Sequence, residues 1–150
     1  MKQRLNIQEL EPNAYNAVLG IFKYLETSTL SKKSKNLIKI RASQINTCAY
    51  CIEMHTAEAL KNGEEQNRIF ALSAWKESPL FSEKEKALLS ATDEVTLISN
   101  NGLTENTFQK LKEYFTDNEI AQIIMQIGEI NIWNRIAVST QMFHSYTNVK

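Results

Sequence analysis

The spacing of apolar residues constrains the fold of this chain more than any other feature of its sequence. Apolar residues return every three or four positions, and no segment shows the strict alternation of a half-buried strand. Four glycines and two prolines in 150 residues are too few for the many turns of a β-sandwich. The pattern predicts an all-α protein in which residues 1–150 form one compact multi-helix domain.

Capping residues divide this pattern into seven predicted helices. Pro12 suits a first helical position, whereas Gly63 suits a helix end. Two capping boxes, Ser82 with Glu85 and Thr116 with Glu119, mark helix starts. The predicted helices lie at about residues 12–25, 37–45, 48–61, 64–75, 82–101, 108–115 and 118–146.

The last predicted helix, from about residue 118 to residue 146, carries apolar residues on nearly every side. A helix with this pattern is buried all round, and a small domain can hardly cover one of its own helices completely. We therefore expect part of this long apolar helix to pack against another subunit, which makes the protein a homo-oligomer.

Charge and hydropathy indicate which surroundings the chain is suited to. Its 17 basic residues balance 17 acidic ones, so there is no electrostatic reason to expect nucleic acid or an anionic membrane as a partner. We find neither a secretory signal at the N-terminus nor an apolar run long enough to span a membrane. We expect a cytoplasmic protein, and in the cytoplasm a close cysteine pair is more often catalytic or metal-binding than structural.

The segment INTCAYCIEMH brings together Cys48, Cys51 and His55, which are three of the four cysteines and histidines in the chain. On a helix these three side chains fall within an arc of about 60°. Asn46 and Thr47 are good candidates for the residue that caps this helix. The two sulfurs can then reach bonding distance, the helix N-terminus stabilises a thiolate, and His55 can exchange a proton with Cys51. Peroxide reduction through a disulfide requires these three groups.

The spacing leaves several interpretations open. Cys48 lies nearer the helix terminus and Cys51 lies nearer His55, so either sulfur could be the attacking one. The cysteines could also be buried and inert, since cysteine is among the most buried residue types. A zinc site is disfavoured, because structural sites usually have four ligands, the only other histidine is the distant His144, and a third cysteine is absent. We expect no metal.

The run LIKIRASQINTCAYCIEMHTAEAL resembles the core of the alkylhydroperoxidase D-like branch of the carboxymuconolactone decarboxylase family. The stretches AWKESPLFSEKEKALLSATDEVT and INIWNRIAVS are also similar to the small single-domain members. The resemblance implies an all-α fold assembled as trimers or hexamers, and a thiol peroxidase activity that needs no cofactor. On the matching positions, Cys51 attacks the peroxide, Cys48 resolves it as a disulfide, and His55 relays the proton. A lipoyl-type or thioredoxin-like dithiol would be the reductant.

The chain departs from the family pattern at one position. Family sites include a glutamate twelve residues before the first motif cysteine, where this chain has Asn36, which can donate a hydrogen bond but cannot accept a proton as a base. The implied relay is therefore incomplete. Two alternatives are a decarboxylase-like enzyme of the same family, whose members generally lack the cysteine pair, and a non-catalytic redox-sensing oligomer. Trp75 and Trp133 could line a substrate pocket, but we expect both to serve core or interface packing.

Overall fold

A computed structural model describes residues 2–142 of the chain, and within that range the protein is helical and contains no β-strand. The all-α class predicted from the sequence is therefore confirmed. The helices are α1 Ile7–Leu10, α2 Pro12–Glu26, α3 Lys32–Ile45, α4 Ala49–Lys61, α5 Gln66–Ala71, α6 Glu83–Thr96, α7 Ile98–Asn101, α8 Glu105–Tyr114 and α9 Asp117–Thr140, with a single 3-10 turn at Leu72–Ala74 after α5.

Local sequence signals account for several helix starts. Pro12 occupies the first turn of α2, where its missing N–H is not needed. Both predicted capping boxes form: the Ser82 hydroxyl accepts from the Glu85 amide, and the Thr116 hydroxyl accepts from the Glu119 amide, with each glutamate bonding back to the cap. These predictions are confirmed because a cap depends only on residues three positions apart.

Several helix boundaries differ from the sequence-based expectation. The short helix α1 was not expected. The helix predicted to run to Asn101 ends at Thr96, because the backbone of Leu97 leaves the helical region and only one turn, α7, follows. Helix α9 ends at Thr140, because Gln141 is left-handed with a φ of 55°. The predicted end at residue 146 is therefore too late, and residues 143–146, as well as His144, lie outside the described residues.

Helix α3 packs against α4, α6 and α9 and so forms the centre of the domain. The largest core side chains from these helices are fully buried, and each such Leu or Ile contributes about 1.5–3 kcal/mol relative to an exposed position. They are Leu37, Ile38, Ile40, Leu88, Leu89, Ile123, Ile127 and Ile130. Trp75 joins this core, as its packing interpretation predicted. None of the described helices is long and apolar enough to cross a membrane.

Candidate functional site

The N-terminus of α4 carries the cysteine motif, and Cys48 is its capping residue. Thr47 has a φ of 53°, which turns the chain sharply, and the Cys48 amide donates to the Ser43 carbonyl at 3.0 Å. The Cys48 sulfur accepts from the Cys51 amide at 3.3 Å. The prediction that Asn46 or Thr47 caps this helix is therefore wrong, because the left-handed turn moves the helix start past both residues.

Cys48 and Cys51 are joined by a disulfide, with their Cα atoms 5.3 Å apart. The expectation that these two sulfurs reach bonding distance is confirmed. Both cysteines are buried, and they form a small cluster with Ala137 of α9, against which Tyr50 and Met142 also pack. Within residues 2–142, no group of three or more His, Cys, Asp or Glu side chains is arranged to hold a metal ion.

A buried amide network fixes the loop that precedes the disulfide. The Asn46 side-chain amide donates to Asn131 Oδ1 at 3.0 Å and to Asn134 Oδ1 at 2.9 Å. The Asn134 amide donates in turn to the Ser43 hydroxyl at 3.0 Å. The motif segments S-Q-I-N and I-N-I-W-N are thus bonded to each other across α3 and α9, a contact that the sequence alone did not indicate.

His55 lies one turn past Cys51 on α4, and only 6% of its surface is exposed. Its Nδ1 lies 3.1 Å from Oε2 of Glu58. This hydrogen bond lowers the pKa of Glu58; burial opposes the effect, the charge of Lys39 adds to it, and the net result lies below the ordinary value. Because an ionised carboxylate can only accept, the neutral His55 ring that makes this bond has its hydrogen on Nδ1 and its acceptor at Nε2.

Lys39 is the basic centre of this polar group, and it is almost completely buried in α3. Its Nζ lies 3.6 Å from Glu58 Oε1 and 3.6 Å from Glu26 Oε1. Asn36 is also buried and lines a polar cavity of about 180 Å³ together with Glu58 and Lys39. Glu58 and Lys39 were not predicted from the sequence; the spacing of Glu58 three residues after His55 was the one available signal.

A cavity of about 230 Å³ opens beside the disulfide. Cys51 and His55 lie on its wall, whereas Cys48 does not. The rest of the wall is mainly apolar and aromatic and includes Tyr15, Leu19, Phe22, Met54, Trp133 and Ile136. Trp133 contacts the Tyr15 ring edge-to-face at 5.1 Å, so this residue both packs against its neighbours and lines the cavity. The arrangement places a disulfide sulfur next to a space suited to an apolar molecule.

Glu129 of α9 is the one acidic residue in the wall of this cavity among the described residues. Only 3% of its surface is exposed. Its Oε1 accepts from the Trp133 indole at 2.6 Å, and its Oε2 accepts from the Gln126 amide at 2.9 Å. Burial raises the pKa of Glu129 above the ordinary value, although these bonds and the charge of Lys39 act against it. Sequence reasoning gave this residue no role.

Two known proteins are similar to this chain over almost its whole length. The uncharacterised protein YdfG of Bacillus subtilis (strain 168) is 35% identical over 139 residues, covering 93% of this chain and 95% of YdfG. A solved protein of unknown function from Agrobacterium tumefaciens, for which a role as the antioxidant defence protein AhpD has been suggested, superposes with a TM-score of 0.93. It is 41% identical, and the match covers 96% of this chain and 99% of that one.

The debrominase Bmp8 has the same fold, with a TM-score of 0.80 and 20% identity over 93% of this chain and 75% of its own. At that identity the likeness concerns the fold alone, and a fold does not determine a reaction. The model of the carboxymuconolactone decarboxylase family matches residues 12–94, which is more than half of the chain. The chain therefore belongs to the carboxymuconolactone decarboxylase family.

Proposed function

We propose that the protein is a thiol-dependent peroxidase that reduces peroxides through the Cys48–Cys51 disulfide. The observation that carries this proposal is a disulfide at a helix N-terminus, next to a cavity whose wall also holds His55. Cys51 lines that cavity and Cys48 does not, which supports Cys51 as the attacking sulfur. The suggested antioxidant role of the Agrobacterium tumefaciens relative is further support.

The reaction begins with both cysteines reduced. Nε2 of His55 accepts the proton of Cys51, and the N-terminus of α4 stabilises the thiolate. The thiolate attacks the peroxide oxygen that carries hydrogen, the O–O bond breaks, and Cys51 becomes a sulfenic acid. The other oxygen leaves as an alkoxide or hydroxide and takes up a proton. The Cys48 thiol then displaces the hydroxyl of the sulfenic acid as water, which forms the disulfide.

An external dithiol completes the cycle by thiol–disulfide exchange and leaves as a disulfide itself. A lipoyl-type or thioredoxin-like donor stays our prediction, as does the cytoplasmic location in which such donors are kept reduced. In this scheme Glu58 supplies the carboxylate that Asn36 lacks, because Glu58 bonds directly to His55 and keeps Nε2 free to accept the proton.

Two cysteine variants test the proposal. With a dithiol donor, we expect wild-type protein to consume peroxide catalytically and Cys51→Ser to consume none. Cys48→Ser should retain the first step, so that intact mass after peroxide shows one added oxygen and no loss of hydrogen. The oxidised wild type should instead have lost two hydrogen atoms, as one intramolecular disulfide requires.

Other outcomes of the same assay would contradict the proposal in recognisable ways. Peroxide consumption that survives in Cys51→Ser would exclude this sulfur as the attacking group. Rapid oxidation of the pair without sustained turnover under any dithiol donor would identify a redox sensor rather than a peroxidase. Turnover of a lactone that survives loss of both cysteines would favour the decarboxylase-like alternative.

A further inference from the structure

We propose that Glu129 is a further catalytic residue, which in its protonated form donates the proton that the leaving oxygen needs when Cys51 attacks a hydroperoxide. This inference rests on the proposed peroxidase function and adds a second proton-carrying group to it. The observation behind it is the position of the Glu129 carboxyl, which α9 holds in the wall of the cavity that Cys51 and His55 also line. No other described acidic side chain lines this cavity.

The surroundings of Glu129 favour the neutral carboxyl. Both groups that bond its oxygens, the Trp133 indole and the Gln126 amide, are uncharged donors. A buried carboxylate without a contacting cation carries a large desolvation cost, which protonation removes. The charged groups that act on Glu129 from the neighbouring helices are Glu26 of α2 and Lys39 of α3. The other titratable side chains that line the same cavity are Tyr15 of α2 and Tyr50 and His55 of α4.

The local charge balance leads to the same conclusion. Lys39 is the cation whose charge acts on Glu129, and its Nζ already lies 3.6 Å from carboxylate oxygens of both Glu26 and Glu58. The charge of Glu26 itself disfavours a carboxylate at Glu129. One lysine shared between two carboxylates gives a third less stabilisation, which favours the proton on Glu129.

The amide of Gln126 can bond this carboxyl in either protonation state. Its Nε2 donates to Glu129 Oε2. Turned by half a turn, the amide presents its Oε1 instead, which accepts the O–H of a protonated Glu129. A neutral carboxyl at Glu129 therefore keeps a hydrogen-bond partner.

The chemistry needs such a donor because an alkoxide is a strong base in an apolar cavity. The thiolate of Cys51 takes the OH of the hydroperoxide to form the sulfenic acid, and the alkoxide that leaves takes the proton of Glu129 to form an alcohol. The Glu129 carboxylate then recovers a proton from the His55 imidazolium, which had received it from the Cys51 thiol. The sum is thiol plus hydroperoxide giving sulfenic acid plus alcohol, so atoms and charge balance.

The test compares two peroxides whose leaving groups differ in basicity. Peracetic acid releases acetate, which needs no proton, whereas tert-butyl hydroperoxide releases tert-butoxide, which does. Reduced protein is mixed with each peroxide, and the single-turnover rate of Cys51 oxidation is measured. In Glu129→Gln we expect the rate with tert-butyl hydroperoxide to fall about 100-fold and the rate with peracetic acid to stay near that of the wild type.

Gln126→Leu is the matched control, because it removes a bond to the same carboxyl but keeps the proton. In Gln126→Leu, the ratio of the rate with tert-butyl hydroperoxide to the rate with peracetic acid should equal the wild-type ratio. The proposal is overturned if Glu129→Gln leaves the ratio unchanged, or if Gln126→Leu changes it as much. Failure of the wild type to react with either peroxide would instead refute the proposed function, so the two failures are distinguishable.

Stability against denaturant gives an independent readout of the proton on Glu129. The pKa of Glu129 is higher in the folded protein than in the unfolded chain. At pH values between these two pKa values, the folded protein therefore binds more protons than the unfolded chain. The stability of the wild type should therefore fall as the pH rises through this window, and Glu129→Gln should lack that fall. Parallel pH profiles of the two proteins would show that Glu129 is ionised in the fold and would overturn the proposal.

Discussion

At the scale of single residues, the candidate site divides into a part that the sequence predicted and a part that it did not. Cys48, Cys51 and His55 could be recognised because helical spacing fixes which of them share a face. Glu58 could be aligned with His55 by the same argument, but its ion pair with Lys39 could not be predicted, because Lys39 belongs to another helix. Contacts between helices depend on tertiary packing, which residue spacing within one helix does not encode.

The hydrogen bond between His55 and Glu58 leads to a prediction about the incomplete family relay. We expect Glu58→Gln to slow peroxide turnover roughly tenfold, because a neutral amide no longer stabilises the protonated imidazole ring. The alkylation of Cys51 should also move to higher pH. Since the pKa of Glu58 is lowered, this difference between wild type and variant should vanish only as the pH falls below the usual carboxylate range.

The control and the rescue for this prediction come from two neighbouring side chains. Glu26→Gln removes a carboxylate at the same 3.6 Å from Lys39 that does not touch His55, so it should have a much smaller effect. Asn36 lines the same small cavity as Glu58, and Asn36→Glu should therefore restore part of the lost rate in the Glu58→Gln background. Equal losses in Glu26→Gln and Glu58→Gln would mean that net charge, and not the bond to His55, is what matters.

At the scale of helices, the start of α4 is set by a neighbouring helix as well as by its own sequence. Capping boxes at α6 and α9 were predictable, because each lies within four residues of sequence. The left-handed conformation of Thr47 was not predictable, because Asn46 just before it is held by two asparagines of α9. The position of the disulfide thus depends on an interaction between residues more than 80 positions apart in the sequence.

A variant of Asn134 tests this dependence, since the Asn134 side chain forms hydrogen bonds with both Asn46 and Ser43. Replacing it by leucine removes two hydrogen bonds of a buried side chain and should lower the free energy of unfolding by about 2 kcal/mol. The variant should also turn over peroxide more slowly at temperatures well below its melting temperature, where it is still folded, because the loop before Cys48 is no longer fixed. Chemical denaturation and turnover of the same preparation measure both effects.

Gln122→Leu is the control for Asn134→Leu, because Gln122 is buried on the same helix and also makes two side-chain hydrogen bonds, to Thr29 and Asn118. These bonds lie away from the cysteine loop. We expect a similar loss of stability and an unchanged turnover. If both variants lost turnover alike, the effect of Asn134 would be one of general stability and not of loop position.

At the scale of the whole molecule, α9 distributes its side chains in an unusual way. Its buried positions include several polar residues, whereas four of its large apolar residues are exposed. The buried polar residues are Gln122, Gln126, Glu129, Asn131, Asn134 and Thr140, and the exposed large apolar ones are Ile124, Met125, Ile132 and Val138. Exposed apolar side chains on a helix that also buries polar residues favour contact with another protein surface. We keep a homo-oligomer as the prediction that follows.

One stripe of α9 is well shaped for such a contact. Ala121, Met125, Gly128 and Ile132 lie at helical spacing on one exposed face, so that large apolar and small residues alternate along it. The small residues would let a helix of a second subunit approach closely. A Cβ added at Gly128 would meet nothing within 4 Å beyond its own helix backbone, so a substitution there should leave the packing of the single subunit undisturbed.

We therefore expect Gly128→Gln to weaken self-association while it raises the stability of the single subunit by about 0.5–1 kcal/mol, because glutamine is the better helix former. Gly20 provides the matched control, since it is also exposed, lies within a helix and has open space at its Cβ. Gly20→Gln should gain similar stability and keep the wild-type assembly. Sedimentation velocity at micromolar concentration measures the assembly state of the wild type and of both variants. A monomeric wild type, or identical assembly of the two variants, would show that this stripe is not an interface.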